Sequence, residues 1–248
     1  MKHFSLTIIG VLLLINIISC QIQENQQEPE GRVAAYTPQQ RPFSEDLLKQ
    51  LKLPEGFQIN VFTKGLENPR MIAVNNYGTV YITQPDAGNV IKLRDTNNDG
   101  TADQKDIVVS GLQEVHGITI HNNKLYLATP TEIYNASINE QGNIGSLNKL
   151  PCTMPPGEQH PNRTLAFGPD GMLYVSVGSS CNACVENNPK YASILKMQPD
   201  GTNCQIYATG LRNTIGFDWH PVTEQMWGMD QGSDWRGANI PPEELNKL

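Results

Sequence analysis

Short apolar triplets recur along the chain, and each is followed by a polar turn and a second apolar triplet. The four copies of this pattern cover 72–74 with 80–82, 118–120 with 125–127, 165–167 with 173–175 and, more loosely, 217–219 with 226–227. Their first residues are 46, 47 and 52 positions apart. Turns rich in Gly, Asn, Asp or Pro between short apolar runs indicate β-hairpins. A third apolar run follows most copies, as at 90–93 and 193–196, so each unit is predicted to be a small antiparallel sheet.

The spacing of the units predicts the fold class. Sheet units that repeat about every 40 to 50 residues are typical of β-propeller blades, which bury their faces against neighbouring blades. We therefore predict an all-β fold, a β-propeller, over 46–248; a β-sandwich with chance similarity between its strands is the alternative. The 196 residues from 53 to 248 suffice for about four blades, and no closing strand is recognisable at the end. We expect the sequence to be the incomplete N-terminal part of a longer propeller.

The first twenty residues have the features of an export signal. A basic start precedes an apolar run over 4–18, and the run ends at Ile-Ile-Ser-Cys, with the cysteine at Cys20. This pattern predicts a signal peptide over 1–20 rather than a transmembrane helix. The last four residues resemble a bacterial lipobox, which implies a lipid on Cys20, and Gln21 after it favours the periplasmic face of the outer membrane. An ordinary signal peptide with a periplasmic or secreted product is the alternative.

Composition and charge restrict the classes of partner that this protein is expected to bind. The segment 21–45 is rich in Gln and Glu and poor in large apolar residues, which predicts a disordered tether. The membrane is therefore expected to be contacted through the N-terminal lipid alone. The chain has 18 Lys and Arg against 25 Asp and Glu, a net charge of −7, and no basic run. Since binding to nucleic acid depends on clustered Lys and Arg, no nucleic-acid partner is predicted.

The four remaining cysteines predict disulfides. Cys152, Cys181, Cys184 and Cys204 are even in number, and cysteines of exported proteins pair by default. Three pairings are open, and the sequence does not choose among them; Cys181 with Cys184 and Cys152 with Cys204 is the working expectation. Val185 stands where c-type haem attachment needs His, and no second close pair of ligands indicates zinc. A structural disulfide is favoured over a redox-active C-x-x-C motif.

Oxygen-bearing side chains alternate in one Asn-rich loop of the first unit. Asp95, Asn97 and Asp99 are followed by a glycine, as in the first half of an EF-hand-like loop, D-x-N-x-D-G. The bidentate glutamate expected at the twelfth position is absent, and Asp103 is the candidate to replace it. We predict a structural calcium loop; a solvated hairpin tip is the alternative.

Polar residues recur at one place in successive units. His160 lies in a Pro-rich loop before the third unit, His116 directly before the second, and Arg212 and Asn213 directly before the fourth. Loops at the same end of propeller blades surround one mouth of the central channel, where ligands bind. Because histidine titrates near neutrality, His160 is a candidate general base. An exposed loop histidine without a function is the alternative.

Four stretches together resemble the glucose/sorbosone dehydrogenase family. They are the stretch from His160 to Gly171, GSSCNAC at 178–184, GLRN at 210–213 and DQGSDW at 230–235. They occur in the order of the family, and the resemblance extends over 53–248. It implies a six-bladed propeller that uses pyrroloquinoline quinone (PQQ) and calcium. The Asp95 loop and the cysteine loop are most similar to the sorbosone-type branch.

The resemblance also implies roles for individual residues. His160 matches the general base that takes the proton of a sugar hydroxyl while hydride passes to the quinone. Arg212 matches the arginine that polarises a quinone carbonyl. The matching cofactor contacts are Asn213 and Gln231, and the matching backbone-carbonyl ligands of the cofactor's calcium are Gly232 and Ser233.

Two departures from the family pattern limit what the resemblance implies. In the glucose-oxidising members, acidic and glutamine-rich residues follow the strand after the histidine, and here the cysteine loop replaces them. The identity of the sugar therefore does not transfer. The family's later basic residues, which bind the carboxylates of PQQ, would lie in blades beyond this sequence, so about half of the site is expected to be present.

The sequence thus predicts an exported, lipid-anchored, PQQ-dependent dehydrogenase that oxidises an aldose sugar or a related aldehyde, with an unidentified electron acceptor. The alternative is a non-catalytic, calcium-stabilised propeller that binds a partner. The dehydrogenase and binding-module hypotheses are separated by three residues, His160, Arg212 and Gln231. A binding module has no need to keep a base, a polarising cation and a cofactor contact together. A lactonase-like hydrolase would need Asp, Asn and Glu on the channel floor, and the sequence offers no such set.

Overall fold

The structure, a computed structural model, describes residues 41–234, 236 and 242–248. The predicted signal peptide, Cys20 and most of the predicted tether over 21–45 lie outside these residues. Within the described part, the secondary structure consists of one short helix, α1 (Glu45–Leu48), and fifteen strands. In that same part, no helix has the length and apolar character needed to cross a membrane.

The strands form four antiparallel sheets, here called blades 1 to 4, and in each the strands lie side by side in chain order. Blade 1 contains β1 (Ile72–Val74), β2 (Val80–Gln84), β3 (Asn89–Arg94) and β4 (Gln104–Val109). Blade 2 contains β5 (Gly117–His121), β6 (Lys124–Ala128), β7 (Glu132–Ser137) and β8 (Asn148–Thr153). Blade 3 contains β9 (Leu165–Phe167), β10 (Leu173–Val177), β11 (Ser193–Met197) and β12 (Gln205–Ala208). Blade 4 contains β13 (Thr214–Trp219), β14 (Met226–Asp230) and β15 (Glu244–Lys247).

The turns explain why each repeated unit folds as a hairpin. In blade 1, Asn75 Oδ1 accepts hydrogen bonds from the backbone N–H groups of Tyr77 (3.0 Å) and Thr79 (2.9 Å). Gly78 follows with a φ of 76°, a left-handed conformation that glycine adopts without steric cost. In blade 3, Gly171 takes the same place with a φ of 71°. These local contacts fix the register between the two strands that each turn joins, β1 with β2 and β9 with β10.

The second strand is fully buried in blades 1 and 3. Every residue of β2 and β10 is buried. The cause is that a middle strand of a blade is covered on both faces. Tyr81 of β2 packs on Leu125 and Leu127 of blade 2, while Val80 packs with Phe62 from the segment before blade 1.

Apolar side chains join successive blades into one core. Tyr126 and Ile133 of blade 2 cluster with Leu173 and Leu195 of blade 3. Burial of one such side chain contributes about 1.5–3 kcal/mol relative to exposure. The first strands of blades 1, 2 and 3 lie next to one another, as in blades arranged around a common axis. The prediction of a β-propeller is therefore confirmed, with four blades in the described part.

All the apolar runs of the repeated units lie in strands, but the outer strands were not predicted. The first four residues of β4 are exposed, and so are three of the four residues of β12. An outer strand such as β4 or β12 carries only a short apolar run, at 107–109 or 206–208, which lies outside the repeated triplet pattern. Its position follows from pairing with the third strand of its blade.

Both expected disulfides are present. Cys152 of β8 is bonded to Cys204, with 5.7 Å between the two Cα atoms, and so joins blade 2 to blade 3. Cys181 is bonded to Cys184, with 6.1 Å between the Cα atoms. This second bond closes a four-residue loop between β10 and β11.

Candidate functional site

Four segments at one end of blades 2 to 4 bring the predicted site residues together. They are the β8–β9 loop with His160, the β10–β11 loop with the Cys181–Cys184 disulfide, the β12–β13 loop with Arg212, and the segment after β14 with Gln231. The β10–β11 loop makes hydrogen bonds with each of the other three segments. It therefore lies at the centre of the candidate site.

Ser179 holds the ring of His160. The ring Nδ1 lies 2.8 Å from the Ser179 carbonyl oxygen and 3.1 Å from Ser179 Oγ. A carbonyl oxygen can only accept, so Nδ1 carries a hydrogen and donates it. The Ser179 hydroxyl donates to the carbonyl of Cys181 (2.7 Å), and it therefore also accepts from Nδ1. In the neutral ring Nε2 is then the unprotonated nitrogen, as a general base requires.

Gly178 packs closely against both His160 and Asn213, and its lack of a side chain leaves room for them. A Cβ atom at position 178 would lie 2.6 Å from His160 Cβ and 2.7 Å from Asn213 Oδ1. Both distances are shorter than van der Waals contact allows. A side chain at this position would therefore displace the histidine.

The Gly178→Ala substitution should lower the free energy of unfolding by about 1–3 kcal/mol, the usual cost of forcing atoms into a packed site. Urea denaturation of the variant and the parent measures this change. Gly216→Ala in β13 is the matched control, because a Cβ there meets no atom within 4 Å. Equal losses in the two variants would contradict the steric argument.

Four hydrogen bonds hold the guanidinium of Arg212. Its Nε donates to the Asn182 carbonyl (2.7 Å) and its Nη2 to Asn182 Oδ1 (2.8 Å) and Asp234 Oδ2 (3.2 Å). Its Nη1 donates to the Gln231 carbonyl (3.0 Å), and its backbone N–H donates to the buried carboxylate of Asp230 (2.8 Å). A guanidinium has five N–H donors. One of them, on Nη1, has no acceptor among the described residues.

The predicted cofactor contacts adjoin this arginine. Asn213 Nδ2 donates to Gln231 Oε1 (3.2 Å), and the Gln231 backbone N–H donates to the Asn213 carbonyl (3.0 Å). The Ser179 backbone N–H donates to the Arg212 carbonyl (2.7 Å). Because Ser179 also holds His160, the structure joins the predicted residues into one polar cluster.

A cavity of about 350 Å³ lies beside the cluster. Its lining includes Asn182, Ala183, Arg212, Gly232 and Ser233. This volume lies at the lower end of the range for small-molecule sites, about 300–1,000 Å³. The two residues predicted to bind calcium through their carbonyls therefore lie where a small ligand would contact them.

The donor at this cavity fits the quinone part of PQQ. Arg212 lines the cavity and has a fixed guanidinium with one N–H to spare, which suits an uncharged carbonyl oxygen. The amides of Asn213 and Gln231 adjoin Arg212 outside the cavity lining. Among the described residues that line the cavity, Arg212 is the one basic side chain. Arg212 would donate to a quinone oxygen and leave the carboxylates of PQQ to groups elsewhere.

The family of the chain follows from a family model. A model described as TrAA12-like matches residues 51–240. The chain belongs to the TrAA12-like family. The matched range contains blades 1 to 3, most of blade 4 and every candidate residue of the propeller.

The TrAA12-like chain also matches one curated protein and several solved propellers. It is 28% identical over 218 residues to an uncharacterized protein of Borreliella burgdorferi. The match covers 83% of this chain and 55% of the relative. The PQQ domain of pyranose dehydrogenase from Coprinopsis cinerea, in its holo form, has a TM-score of 0.65 at 18% identity, over 79% of this chain and 51% of that one. The PQQ-bound aldose sugar dehydrogenase of Streptomyces coelicolor has a TM-score of 0.60 at 20% identity, and the match covers 77% of this chain and 62% of that one. The solved structures show the fold, and the chain spans about half the length of the curated relative it matches.

In the TrAA12-like chain, hydrogen bonds within the predicted calcium loop close it. Asp103 Oδ2 accepts from the Thr96 backbone (2.6 Å), and the hydrogen bonds from Thr96 lower the pKa of Asp103. Asn97 Nδ2 lies between Asp99 Oδ2 (3.1 Å) and Asp103 Oδ1 (3.2 Å). Asp95 Oδ2 accepts a hydrogen bond from the backbone N–H of Gly100 (2.8 Å). The loop belongs to blade 1, apart from the polar cluster on blades 2 to 4, and calcium there stays a prediction.

His116 lies at the matching place before blade 2 but does not join the polar cluster. Its ring is buried, and Nδ1 lies 3.0 Å from the carbonyl of Arg163. Burial lowers the pKa of His116 below its ordinary value of 6.5. His116 is therefore buried against the start of blade 3, and among the equivalent residues it is His160, Arg212 and Asn213 that belong to the polar cluster.

Arg163 positions the loop that contains His160. Its side chain is fully buried, and burial lowers its pKa to about 10, so it remains charged at neutral pH. Its Nε donates to the carbonyl of Pro130 (3.0 Å) and its Nη2 to that of Pro155 (3.1 Å). Its Nη1 donates to the carbonyls of His160 (2.7 Å) and Asn162 (3.2 Å). No sequence pattern marks Arg163 for this role, because all four acceptors are backbone atoms.

Proposed function

We propose that this chain carries the quinone-binding part of a PQQ-dependent dehydrogenase that oxidises an aldose sugar or a related aldehyde. One observation carries the proposal: Ser179 accepts from the ring of His160, whose Nε2 is unprotonated, and donates its backbone N–H to the carbonyl of Arg212, whose guanidinium has a spare N–H. A base and a polarising cation in one cluster suit the removal of a proton and a hydride from one substrate carbinol. The likeness in fold to PQQ domains of sugar dehydrogenases supports the proposal.

His160 would take the hydroxyl proton of the substrate. PQQ, when bound, supplies the acceptor for the hydride that leaves the carbinol carbon. Nε2 removes the proton from the hydroxyl oxygen, and the carbon–oxygen double bond forms as the hydride departs. The Ser179 carbonyl keeps Nε2 aimed at the substrate and stabilises the imidazolium through the Nδ1 hydrogen. An aldehyde reacts as its hydrate, which offers the same O–H and C–H bonds.

Arg212 would direct positive charge into the cavity. Its four hydrogen bonds fix the guanidinium before any ligand arrives. A preorganised donor of this kind stabilises developing negative charge without reorganisation during the reaction. Asn213 and Gln231 would add amide contacts to the same ligand.

The remaining elements of the proposal concern metal and location. We place a calcium ion of the cofactor site at the carbonyls of Gly232 and Ser233, and a structural calcium ion in the loop of Asp95, Asn97, Asp99 and Asp103. We also propose export, with lipidation of Cys20 and attachment to the periplasmic face of the outer membrane. The electron acceptor is a separate partner that the proposal does not identify.

The test uses the intact gene product that contains this chain. The purified protein is incubated with PQQ and calcium, PQQ binding is measured by equilibrium dialysis, and dye-linked oxidation is measured on a panel of aldoses and aldehydes. The expected result is saturable PQQ binding and an activity that requires both additions. A parallel sample with calcium removed by a chelator is the control. Failure of the intact protein to bind PQQ would overturn the proposal and favour a non-catalytic, calcium-stabilised binding module.

A further inference from the structure

Asn182 stands between the two cysteines of the Cys181–Cys184 disulfide and contacts two segments of blade 4. Its carbonyl oxygen accepts from Arg212 Nε (2.7 Å), and its Oδ1 accepts from Arg212 Nη2 (2.8 Å). The same Oδ1 accepts from the Asp234 backbone N–H (2.8 Å), and Nδ2 donates to the Asp234 carbonyl (3.0 Å). Every polar atom of the Asn182 side chain is therefore used.

The two bonds to Arg212 determine how its guanidinium is oriented. Nε and Nη2 lie on one edge of the planar group, and both donate to Asn182. Two parallel bonds from one edge fix the plane as well as the position of a guanidinium. Once this edge is held, Nη1 donates to the Gln231 carbonyl and keeps one spare N–H, and Arg212 lines the cavity.

The loop that presents Asn182 is itself held at both ends. The disulfide limits the conformations of the four-residue segment 181–184. On its outer side, Glu186 accepts from the Ser180 backbone N–H (2.7 Å) and from Ser180 Oγ (2.8 Å). On its inner side, the Cys181 carbonyl accepts from the Ser179 hydroxyl (2.7 Å). Such a loop costs little further ordering when Asn182 holds the arginine.

We propose that the Cys181–Cys184 loop is a positioning device for Arg212, in which Asn182 orients the guanidinium toward the cavity and the disulfide holds Asn182. Asn182 and the disulfide are positioning residues and need not touch the ligand. The orientation of Arg212 is independent of the function proposed above. Its consequence for PQQ affinity rests on that function.

The first experiment measures the exposure of Arg212 with phenylglyoxal, which modifies guanidinium groups. The modification rate of Arg212 in the intact protein is followed by peptide mass spectrometry, with exposed Arg70 as the internal reference. Asn182→Ala and the double variant Cys181→Ser/Cys184→Ser should each raise the rate about fivefold or more, which corresponds to the loss of one ordinary hydrogen bond. Asn187→Ala, an exposed position in the same β10–β11 loop, should leave the rate unchanged. An unchanged rate in both test variants would overturn the proposal.

Asn182→Asp keeps the result interpretable if either test variant fails to fold. Aspartate retains both acceptors for Arg212 and lacks only the donor to Asp234. Arg212 should therefore stay as protected from phenylglyoxal as in the parent. Faster modification in Asn182→Asp, at an unchanged thermal unfolding midpoint, would contradict the assigned contacts.

The second experiment measures PQQ affinity in a double-mutant cycle. Asn182→Ala should weaken PQQ binding about tenfold in the parent and have no further effect in an Arg212→Ala background. The same loss in both backgrounds would indicate a merely structural role and overturn the proposal. If the parent itself does not bind PQQ, the proposed function fails, and the phenylglyoxal rates alone decide whether the loop positions Arg212.

Discussion

Replacing His160 with alanine should lower kcat of the PQQ-loaded intact protein by about 10²–10⁴-fold, the contribution typical of a positioned general base. Alanine offers no atom that could accept the substrate proton in place of Nε2. The hydrogen bonds of Arg212 do not involve His160, so PQQ affinity should change little. Steady-state dye-linked kinetics on the best substrate of the panel, together with dialysis of PQQ, measure both quantities.

His220→Ala is the control for this experiment. His220 is exposed in the turn between β13 and β14, where its Nδ1 accepts from the backbone N–H groups of Val222 and Thr223 (3.2 Å each). Its removal should leave kcat unchanged. If His160→Ala retained kcat within about threefold of the parent while PQQ still bound, the assignment of His160 as the base would be wrong.

The repeated hairpins could be predicted from sequence because the residues that determine each hairpin lie close together in the chain. The apolar triplets of β1 and β2 are joined by the Asn75 turn, and those of β9 and β10 by the turn at Gly171. Both the burial and the turn geometry act over fewer than about ten residues, which a sequence pattern records. The first four residues of β4 face solvent, so the position of this part of the strand follows from its pairing with β3.

The contacts of the site could not be predicted, because they cross between blades. Ser179 orients a histidine 19 residues away, and Asn182 contacts Arg212 and Asp234, which lie 30 and 52 residues away. Such bonds depend on how the blades stack, and most of them use backbone atoms that carry no residue signature. His116 illustrates the same limit, since equivalent sequence positions have different burial in successive blades.

Arg163→Met should lower the free energy of unfolding by about 2–6 kcal/mol, a large part of the roughly 5–15 kcal/mol typical of a folded protein. Methionine fills much of the volume but donates no hydrogen bond. The carbonyls of Pro130 and Pro155 are in buried residues, and each buried acceptor left without a partner costs about 1–3 kcal/mol. Guanidinium chloride denaturation of the intact protein measures the change.

Two further variants separate the hydrogen bonds of Arg163 from its charge. Arg163→Lys keeps the positive charge, but a compact ammonium on a flexible stem cannot bond all four carbonyls that the three guanidinium nitrogens contact. It should therefore be destabilised nearly as much as Arg163→Met. Arg70→Met, at an exposed position, should stay within about 0.5 kcal/mol of the parent. If Arg163→Lys matched the parent instead, the charge alone would suffice, and the four carbonyl bonds would not be what holds the loop of His160 in place.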